Sequence, residues 1–196
     1  MNISVIGAGY VGLITGIGFA KLNHQVSIVD LNDDLIKNLN ENRPPFYEPE
    51  LVDYLNDSNI RNNLFFSTSY QKSINENTDI VFVCVQTPTD PDTGKTKTDY
   101  ISSVLTELKK IESFNFIICI KSTIKATLVE KISNEIDLDY KKIIFNPEFL
   151  REGSAFYDFF NPDRIVIGAS DQKGLNQCTE LYESFDCEKI TTDSNS

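Results

Sequence analysis

The chain has 196 residues, 40% of them hydrophobic, and a formal net charge of −11 at pH 7. A chain of this length is typical of one domain with one core. The acidic excess disfavours nucleic acid and anionic membrane as partners, because binding to phosphates needs clustered Lys and Arg. No apolar run approaches the roughly 20 residues that span a bilayer. The N-terminal "MNISVIGAGY" does not resemble a signal peptide either. We therefore predict a cytoplasmic protein.

Short apolar segments rich in β-branched residues alternate with segments of helical periodicity along the chain. Strands are predicted at 3–7, 25–30, 63–68, 79–85, 114–120, 142–146 and 164–168. Helices are predicted at 10–23, 32–42, 48–57, 99–112, 125–136, 152–160 and 171–185. Most of the strands are apolar throughout, which is typical of a parallel sheet covered on both faces. The predicted fold class is therefore α/β, a Rossmann-type doubly wound, mostly parallel sheet with helices on both faces.

Three glycines follow the first predicted strand and open the first predicted helix. Gly7, Gly9 and Gly12 have the spacing G-x-G-x-x-G. In this pattern the first glycine makes a tight turn, the second lets the backbone approach a pyrophosphate, and the third lets the helix pack closely on the strand. The helix start supplies N–H groups and a positive dipole. An acidic chain can bind a dinucleotide in this way without any lysine.

Asp30 ends the second predicted strand, where a carboxylate accepts hydrogen bonds from an adenosine ribose. Leu31, Asn32 and Asp33 follow it without an arginine, so a 2′-phosphate would be repelled and NAD is favoured over NADP. FAD is the main alternative cofactor, although flavoproteins usually have further domains around the flavin. The structural alternative for Asp30 is that it caps the helix predicted at 32–42.

The four cysteines do not predict a metal site or a disulfide framework. They are far apart and lack a C-x-x-C spacing. Cys84 and Cys119 lie within apolar runs, where a small buried hydrophobic residue is the simpler interpretation. We predict no metal.

Seven stretches carry a resemblance to a known family. They are "GAGYVGL" at 7–13, "VDLNDDLIKNLN" at 29–40, "PPFYEPEL" at 44–51, "VQTPTD" at 85–90, "KST" at 121–123, "NPEFLREGSA" at 146–155 and "NPDRIVIG" at 161–168. With these stretches in order over nearly its whole length, the chain resembles the UDP-glucose and GDP-mannose dehydrogenases. The "EGSA" after "FLR" is closer to the UDP-glucose 6-dehydrogenases, whereas the GDP-mannose branch has a "REST" form. UDP-glucose is therefore the implied substrate, and GDP-mannose or another nucleotide sugar is the alternative.

The resemblance implies oxidation of the C6 hydroxymethyl of a nucleotide sugar to a carboxylate, with two NAD per turnover and a thioester on a cysteine. Tyr10 and Val11 would offer backbone N–H groups to the cofactor, and Thr87 and Thr123 would lie near the nicotinamide. The implied cofactor residues are Gly7, Gly9, Tyr10, Val11, Gly12, Asp30, Thr87, Thr123 and Glu152.

The resemblance also assigns catalytic and substrate-binding roles. Glu148 matches a general base or water-ordering carboxylate for thioester hydrolysis, Thr123 matches a residue that helps to order that water, and Glu152 matches a second acid near the nicotinamide. The implied substrate-binding segment is Glu148, Phe149, Leu150 and Arg151. A helical turn over 148–152 would make the two acids face the same way.

Several of these residues also have simpler structural explanations. Thr87 and Thr123 are typical polar loop or cap residues. Arg151 and Glu152 could form an exposed ion pair that contributes little, and Glu152 could be a first-turn acid of the helix predicted at 152–160.

The chain also departs from the family pattern. Ile124, Lys125 and Ala126 replace a hydrophobic-Pro turn and a glycine after "KST", so the turn that follows Thr123 differs from the family's. Glu50 stands where a glycine is expected, and Gln86 where asparagine is common. Tyr47 and Glu48 lie in the Pro-rich loop at 43–50, which could shape the cofactor pocket or only turn the chain.

The family's nucleophilic cysteine, its oxyanion-stabilising lysine and asparagine, and a second aspartate belong to a middle helix and a C-terminal domain. The chain is expected to stop before them. Its own Cys178 and Cys187 match nothing catalytic in the family. We assign 1–191 to an NAD(P)-binding Rossmann-type domain and 192–196 to a polar tail or truncated linker. We expect half of a UDP-glucose 6-dehydrogenase, inactive alone, with a companion C-terminal polypeptide or a homo-oligomer as partner. A non-catalytic NAD-binding module is the alternative.

Overall fold

The computed structural model describes residues 1–111 and 115–193 and has one sheet of eight strands at its centre. The strand order is β3-β2-β1-β4-β5-β6-β7-β8. The strands are β1 (Asn2–Ile6), β2 (Gln25–Val29), β3 (Leu64–Ser67), β4 (Ile80–Val83), β5 (Ile117–Ile120), β6 (Ile143–Phe145), β7 (Arg164–Ala169) and β8 (Glu188–Thr192). The strand order reverses between the neighbouring strands β1 and β4, and open α/β sheets bind ligands at such a reversal.

Helices cover both faces of the sheet. They are α1 (Tyr10–Lys21), α2 (Asp33–Asn40), α3 (Leu51–Asn56), α4 (Ser58–Arg61), α5 (Tyr70–Ser73), α6 (Asp99–Lys109), α7 (Ala126–Glu135), α8 (Ala155–Phe160) and α9 (Gln172–Leu181), and a 3-10 turn lies at Tyr140–Lys142. Successive strand residues point to opposite faces, so Phe82 joins the core under α1, α8 and α9, whereas Val83 joins the core under α6 and α7. Both faces of β4 are therefore covered by helices, which explains why its side chains are apolar on both faces.

All neighbouring strands are parallel except β6 and β7, which are antiparallel. Only two residue pairs join these strands, Ile144 with Ala169 and Phe145 with Gly168. The reversal is possible because α8 does not cross the sheet between them. It packs on α1 instead, with the Phe159 ring 5.2 Å from the Phe19 ring.

The predicted fold class is confirmed, and the differences lie mostly at element ends. α1 ends at Lys21, because Asn23 has a left-handed φ of 65°. α8 begins at Ala155 instead of 152, and α9 ends at Leu181 instead of 185. The short helices α4 and α5 were not predicted. Parts of the predicted strand 114–120 and helix 99–112 lie outside the described residues.

The last strand, β8, runs to Thr192, the first residue of the predicted tail 192–196. Residues 194–196 of that tail lie outside the described residues. Across the described part of the chain, none of the helices combines the length and the apolar character that a membrane crossing requires.

Glu50 has a left-handed backbone, with φ 67°, at the start of α3. Residues with a Cβ are disfavoured in this region and glycine is not. We expect Glu50→Gly to raise the free energy of unfolding by about 0.5 kcal/mol, because the relieved strain exceeds the added freedom of the unfolded chain. Urea denaturation measures the change.

Glu130→Gly is the matched control, because Glu130 lies inside α7. There the same substitution should lower stability by about 1 kcal/mol. Equal losses at both positions would contradict this account of Glu50.

Candidate functional site

The turn between β1 and α1 needs glycine at two positions and leaves space at a third. Gly7 has φ 100°, and a Cβ there would lie 2.6 Å from the carbonyl oxygen of Cys84. A Cβ on Gly12 would lie 1.8 Å from the carbonyl oxygen of Gly7. A Cβ on Gly9 would meet no atom within 4 Å. The first and third glycines thus allow close packing, and the second faces open space that a ligand backbone could approach.

The N-terminus of α1 faces the same space and offers backbone donors. Gly9 is the N-cap residue, and its carbonyl oxygen accepts a hydrogen bond from the N–H of Leu13 at 2.9 Å. The N–H groups of the first turn, at Tyr10, Val11 and Gly12, have no partner within the helix. Among the described residues, no side chain caps this helix and no acid lies in its first turn. The N-terminus therefore keeps the positive potential that favours an anion.

Asp30 connects the glycine turn to the end of β2. Its Oδ2 accepts a hydrogen bond from the N–H of Ala8 at 2.9 Å, and its Oδ1 accepts one from the N–H of Asn32 at 3.0 Å. The alternative that Asp30 caps α2 is wrong, because Asn32 is the N-cap and its side chain accepts from the N–H of Leu35. A carboxylate has about four acceptor positions, so Asp30 can still accept hydrogen bonds from ribose hydroxyls.

Thr87 and Thr123 lie together beyond the ends of β4 and β5. The hydroxyl of Thr87 donates a hydrogen bond to the carbonyl oxygen of Thr123 at 2.9 Å. Thr123 does not cap α7, because Lys125 is the N-cap residue of that helix. Both threonines are therefore loop residues at the edge of the sheet that holds the glycine turn.

Residues 146–154 form an irregular loop, so the helical turn considered over 148–152 does not form. Oε2 of Glu148 accepts a hydrogen bond from the N–H of Leu150 at 2.6 Å. The carboxylate of Asp158 accepts one from the N–H of Arg151 at 2.9 Å. Side chains thus take the N–H groups that a helix would use, and α8 begins only at Ala155. Glu152 is consequently not a first-turn acid.

Arg151 forms its ion pair with Asp158 and not with Glu152. Its Nη2 and Nε lie 2.6 and 3.1 Å from the two carboxylate oxygens of Asp158. These hydrogen bonds raise the pKa of Arg151 and hold the pKa of Asp158 below its usual value. Glu152 is exposed, and so is Phe149, at 56%. Leu150 packs against the core, so the two apolar residues of the loop differ in their environment.

A buried network under this loop holds a lysine. Asn146 is 2% exposed and Lys121 is 6% exposed. Oδ1 of Asn146 accepts hydrogen bonds from Nζ of Lys121 at 3.1 Å and from the hydroxyl of Tyr182 at 2.5 Å. Its Nδ2 donates to the carbonyl oxygen of Val166 at 2.9 Å. The Asn146 side chain therefore joins β5, β7 and α9 at the start of the loop.

Glu48 is a second buried polar group, and it lies in the Pro-rich loop for which the sequence left open whether it shapes the cofactor pocket or only turns the chain. It is 3% exposed and accepts hydrogen bonds from Tyr10, Gly153 and Ala155. The Pro-rich loop therefore contacts both the N-terminus of α1 and the loop 146–154. Glu48 and Asn146 both lie within the quoted motifs, and Asn146 and Lys121 directly follow buried strands. A polar residue directly after a buried strand is the pattern that could have identified the latter two.

A cleft of about 470 Å³ lies below the loop. Its charged lining includes Lys121, Glu148, Arg151, Asp163 and Arg164. Of the predicted substrate residues, Glu148, Phe149, Leu150 and Arg151 all line it. Thr123 lines a second cleft of about 460 Å³. Among the described residues, Pro147 is the one that lines both clefts. The predicted residues thus form three adjoining groups, namely the glycine turn with Asp30, the threonine pair, and the loop 146–154.

Two of the cysteines are buried thiols that favour the protonated form. Cys84 lies next to the glycine turn, and burial raises the pKa of its thiol to about 12. Burial also raises the pKa of Cys119 well above its usual value. A search of residues 1–111 and 115–193 finds no cluster of His, Cys, Asp and Glu that could hold a metal ion.

The model of the UDP-glucose/GDP-mannose dehydrogenase family, NAD binding domain, matches residues 1–186. UDP-glucose 6-dehydrogenase YwqF of Bacillus subtilis (strain 168) is 34% identical, over 100% of this chain and 45% of that protein. A UDP-glucose dehydrogenase structure from Pyrobaculum islandicum aligns with a TM-score of 0.88 and 34% identity, over 98% of this chain and 46% of that chain.

A GDP-mannose dehydrogenase from Pseudomonas aeruginosa aligns with a TM-score of 0.89 and 27% identity. That alignment covers 100% of this chain and 47% of the other. The chain therefore spans about half the length of the relatives that it matches.

We predict that Asn146→Leu strongly destabilises the chain. The substitution keeps a similar volume but leaves Lys121 and Tyr182 without their common acceptor. Because unsatisfied buried polar groups cost about 1–3 kcal/mol each, and a charge costs more, the free energy of unfolding should fall by about 3 kcal/mol or more. Urea denaturation measures the loss.

Asn134→Leu is the matched control, since Asn134 is exposed on α7. It should change the free energy of unfolding by less than about 0.5 kcal/mol. Similar losses for the two variants would contradict the role of the Asn146 network.

Proposed function

We propose, from the premise that this chain belongs to the UDP-glucose/GDP-mannose dehydrogenase family, that it is the NAD-binding half of a UDP-glucose 6-dehydrogenase. The observation that carries the proposal is the family match over residues 1–186 together with the glycine turn, the free N-terminus of α1 and Asp30. The family domain binds NAD. When bound, NAD supplies the hydride acceptor for oxidation at C6 of the sugar.

The residues at the glycine turn fit NAD by their shape and charge. Gly9 leaves open space in front of the N–H groups of the first turn of α1, so the pyrophosphate oxygens can receive hydrogen bonds there. Asp30 would receive the adenosine ribose hydroxyls, and its negative charge disfavours a 2′-phosphate. Thr87 and Thr123, beyond the ends of β4 and β5, and Glu152, in the loop after β6, would lie toward the nicotinamide.

The loop 146–154 would carry the polar chemistry on the sugar side. In this proposal Glu148 acts as a base or orders water for hydrolysis of a thioester, with Thr123 helping to order that water. Glu148 lines the cleft with Lys121 and Arg151, so a base and two cations border one volume. Phe149, Leu150 and Arg151 would lie against the sugar.

UDP-glucose is the proposed substrate and GDP-mannose the alternative. The "EGSA" after "FLR" supports UDP-glucose, as do the 34% identical relatives that are named for this sugar. The GDP-mannose dehydrogenase has a similar fold but is only 27% identical. Because the chain spans about half the length of these relatives, turnover would require the other half of such a protein as well.

A non-catalytic NAD-binding module is the second candidate. The turn at Ile124, Lys125 and Ala126 favours it, because Lys125 replaces a neutral turn residue two positions after Thr123. Both candidates require NAD binding, and only the first gains turnover when the other half is supplied.

We predict that Asp30→Ala weakens NAD binding by about tenfold or more, because hydrogen bonds to a charged group contribute about 1.5–3 kcal/mol. Calorimetric titration with NAD measures the change. Asp33→Ala is the matched control, because Asp33 is exposed at the start of α2. The Asp33→Ala variant should bind NAD with the same affinity as the unaltered chain. Unchanged binding in Asp30→Ala would contradict the ribose assignment.

A second prediction concerns turnover. The chain alone should not form NADH from NAD and UDP-glucose, and the addition of a polypeptide with the missing half should start NADH formation. Glu148→Gln in the same mixture should slow the reaction by about 100-fold, the usual scale for a general base. NADH absorbance follows the reaction. Formation of NADH by the chain alone would contradict the proposal, and failure of every companion half would favour the second candidate.

A further inference from the structure

We propose that Glu48 is a positioning residue of the dinucleotide site, which holds the loop 146–154 against the N-terminus of α1. The inference rests on the proposed function, because it concerns how the two ends of the same cofactor are held. Glu48 lies in the Pro-rich loop 43–50, outside the glycine turn and outside the loop that it holds.

The carboxylate of Glu48 receives three hydrogen bonds from two distant parts of the chain. Its Oε2 accepts from the hydroxyl of Tyr10 at 2.9 Å and from the N–H of Gly153 at 2.8 Å. Its Oε1 accepts from the N–H of Ala155 at 2.8 Å. Tyr10 begins α1 and Ala155 begins α8, so one buried side chain connects two helix N-termini.

Neutral donors surround this carboxylate. Among the ion pairs of residues 1–111 and 115–193, none includes Glu48. A buried carboxylate is costly unless its oxygens are hydrogen-bonded. Ser154, the N-cap residue of α8, makes no cap hydrogen bond, and Glu48 accepts from that helix start instead. Two of the three hydrogen bonds that compensate the negative charge, those from Gly153 and Ala155, thus arise only when the loop is in place.

Tyr10 strengthens the connection on the α1 side. Its ring packs against Phe46 with centroids 5.1 Å apart. Its hydroxyl lies 3.1 Å from the carbonyl oxygen of Arg151 as well as 2.9 Å from Glu48, and its single hydrogen can serve one acceptor at a time. Burial and the nearby Glu48 raise the pKa of Tyr10 above its usual value, so the hydroxyl remains a donor.

Glu48 joins α1 to the loop 146–154, and these two segments differ in the other contacts that fix their positions. α1 is fixed by its own core residues, including Leu13, Ile14 and Ile17, which are fully buried. The loop 146–154 contains no helix or strand, and side-chain hydrogen bonds take its N–H groups. Loss of the Glu48 carboxylate should therefore release the loop and leave α1 in place. The nicotinamide end of NAD would lose its support, and the adenosine end would keep it.

The test compares two ligands that share the adenosine end. The Glu48→Gln chain is titrated calorimetrically with ADP-ribose, which lacks the nicotinamide, and with NADH, whose fluorescence also reports the environment of the nicotinamide. The amide group of a glutamine at this position would face the N–H of Gly153 or of Ala155, so one of these hydrogen bonds would be lost. We expect NADH binding to weaken by about tenfold, the scale of one lost charged hydrogen bond, and ADP-ribose binding to stay unchanged.

Glu50→Gln is the matched control, because Glu50 is exposed in the same loop. It should leave both affinities unchanged. Tyr10→Phe removes one of the three donors and keeps the two backbone donors, so it should weaken NADH binding in the same selective way but by less. This second variant decides the question if Glu48→Gln fails to fold.

Three results would overturn the inference. Equal weakening of both ligands would assign Glu48 a purely structural role, and so would a lowered melting temperature with unchanged ligand preference. In Tyr10→Phe, unchanged binding of both ligands would show that the connection to α1 does not matter. Failure of the unaltered chain to bind either ligand would instead overturn the proposed function, and the inference with it.

Discussion

The close contact between Gly12 and the carbonyl of Gly7 is the constraint on which the site depends. No side chain fits there, because a Cβ on Gly12 would lie 1.8 Å from that oxygen. The contact brings the N-terminus of α1 to the end of β1, and the apolar side chains of α1 fix the helix in the core. An acidic chain can therefore receive an anion with backbone N–H groups, whose partial charges do not depend on its net charge.

Much of the fold could be predicted because its evidence is local. Strands buried on both faces are apolar throughout, and the glycine spacing and Asp30 lie within 24 residues of one another in the printed sequence. The seven motifs predicted the family correctly, since the family match covers residues 1–186. The antiparallel β7 could not be predicted in this way, because strand and helix alternation does not show that α8 packs on α1 without crossing the sheet.

The site was less predictable where hydrogen bonds link distant parts of the chain. Glu48 receives its backbone donors from residues 105 and 107 positions away, and no local pattern reports such a partner. The helical turn considered at 148–152 does not form for a more local reason, because the carboxylates of Glu148 and Asp158 take the N–H groups of Leu150 and Arg151. Side chains that compete for backbone donors override helical spacing.

The two-residue junction between β6 and β7 divides the sheet into unequally coupled parts. β7 and β8 share a five-residue register, whereas only two residue pairs join β7 to β6. Side chains rather than backbone pairing therefore attach the β7–β8 ribbon, through Ile165 and Ile167 in the core and through the Asn146 amide that donates to the carbonyl oxygen of Val166. The strands β1, β2 and β4, which carry the glycine turn and Asp30, belong to the more strongly coupled part of the sheet.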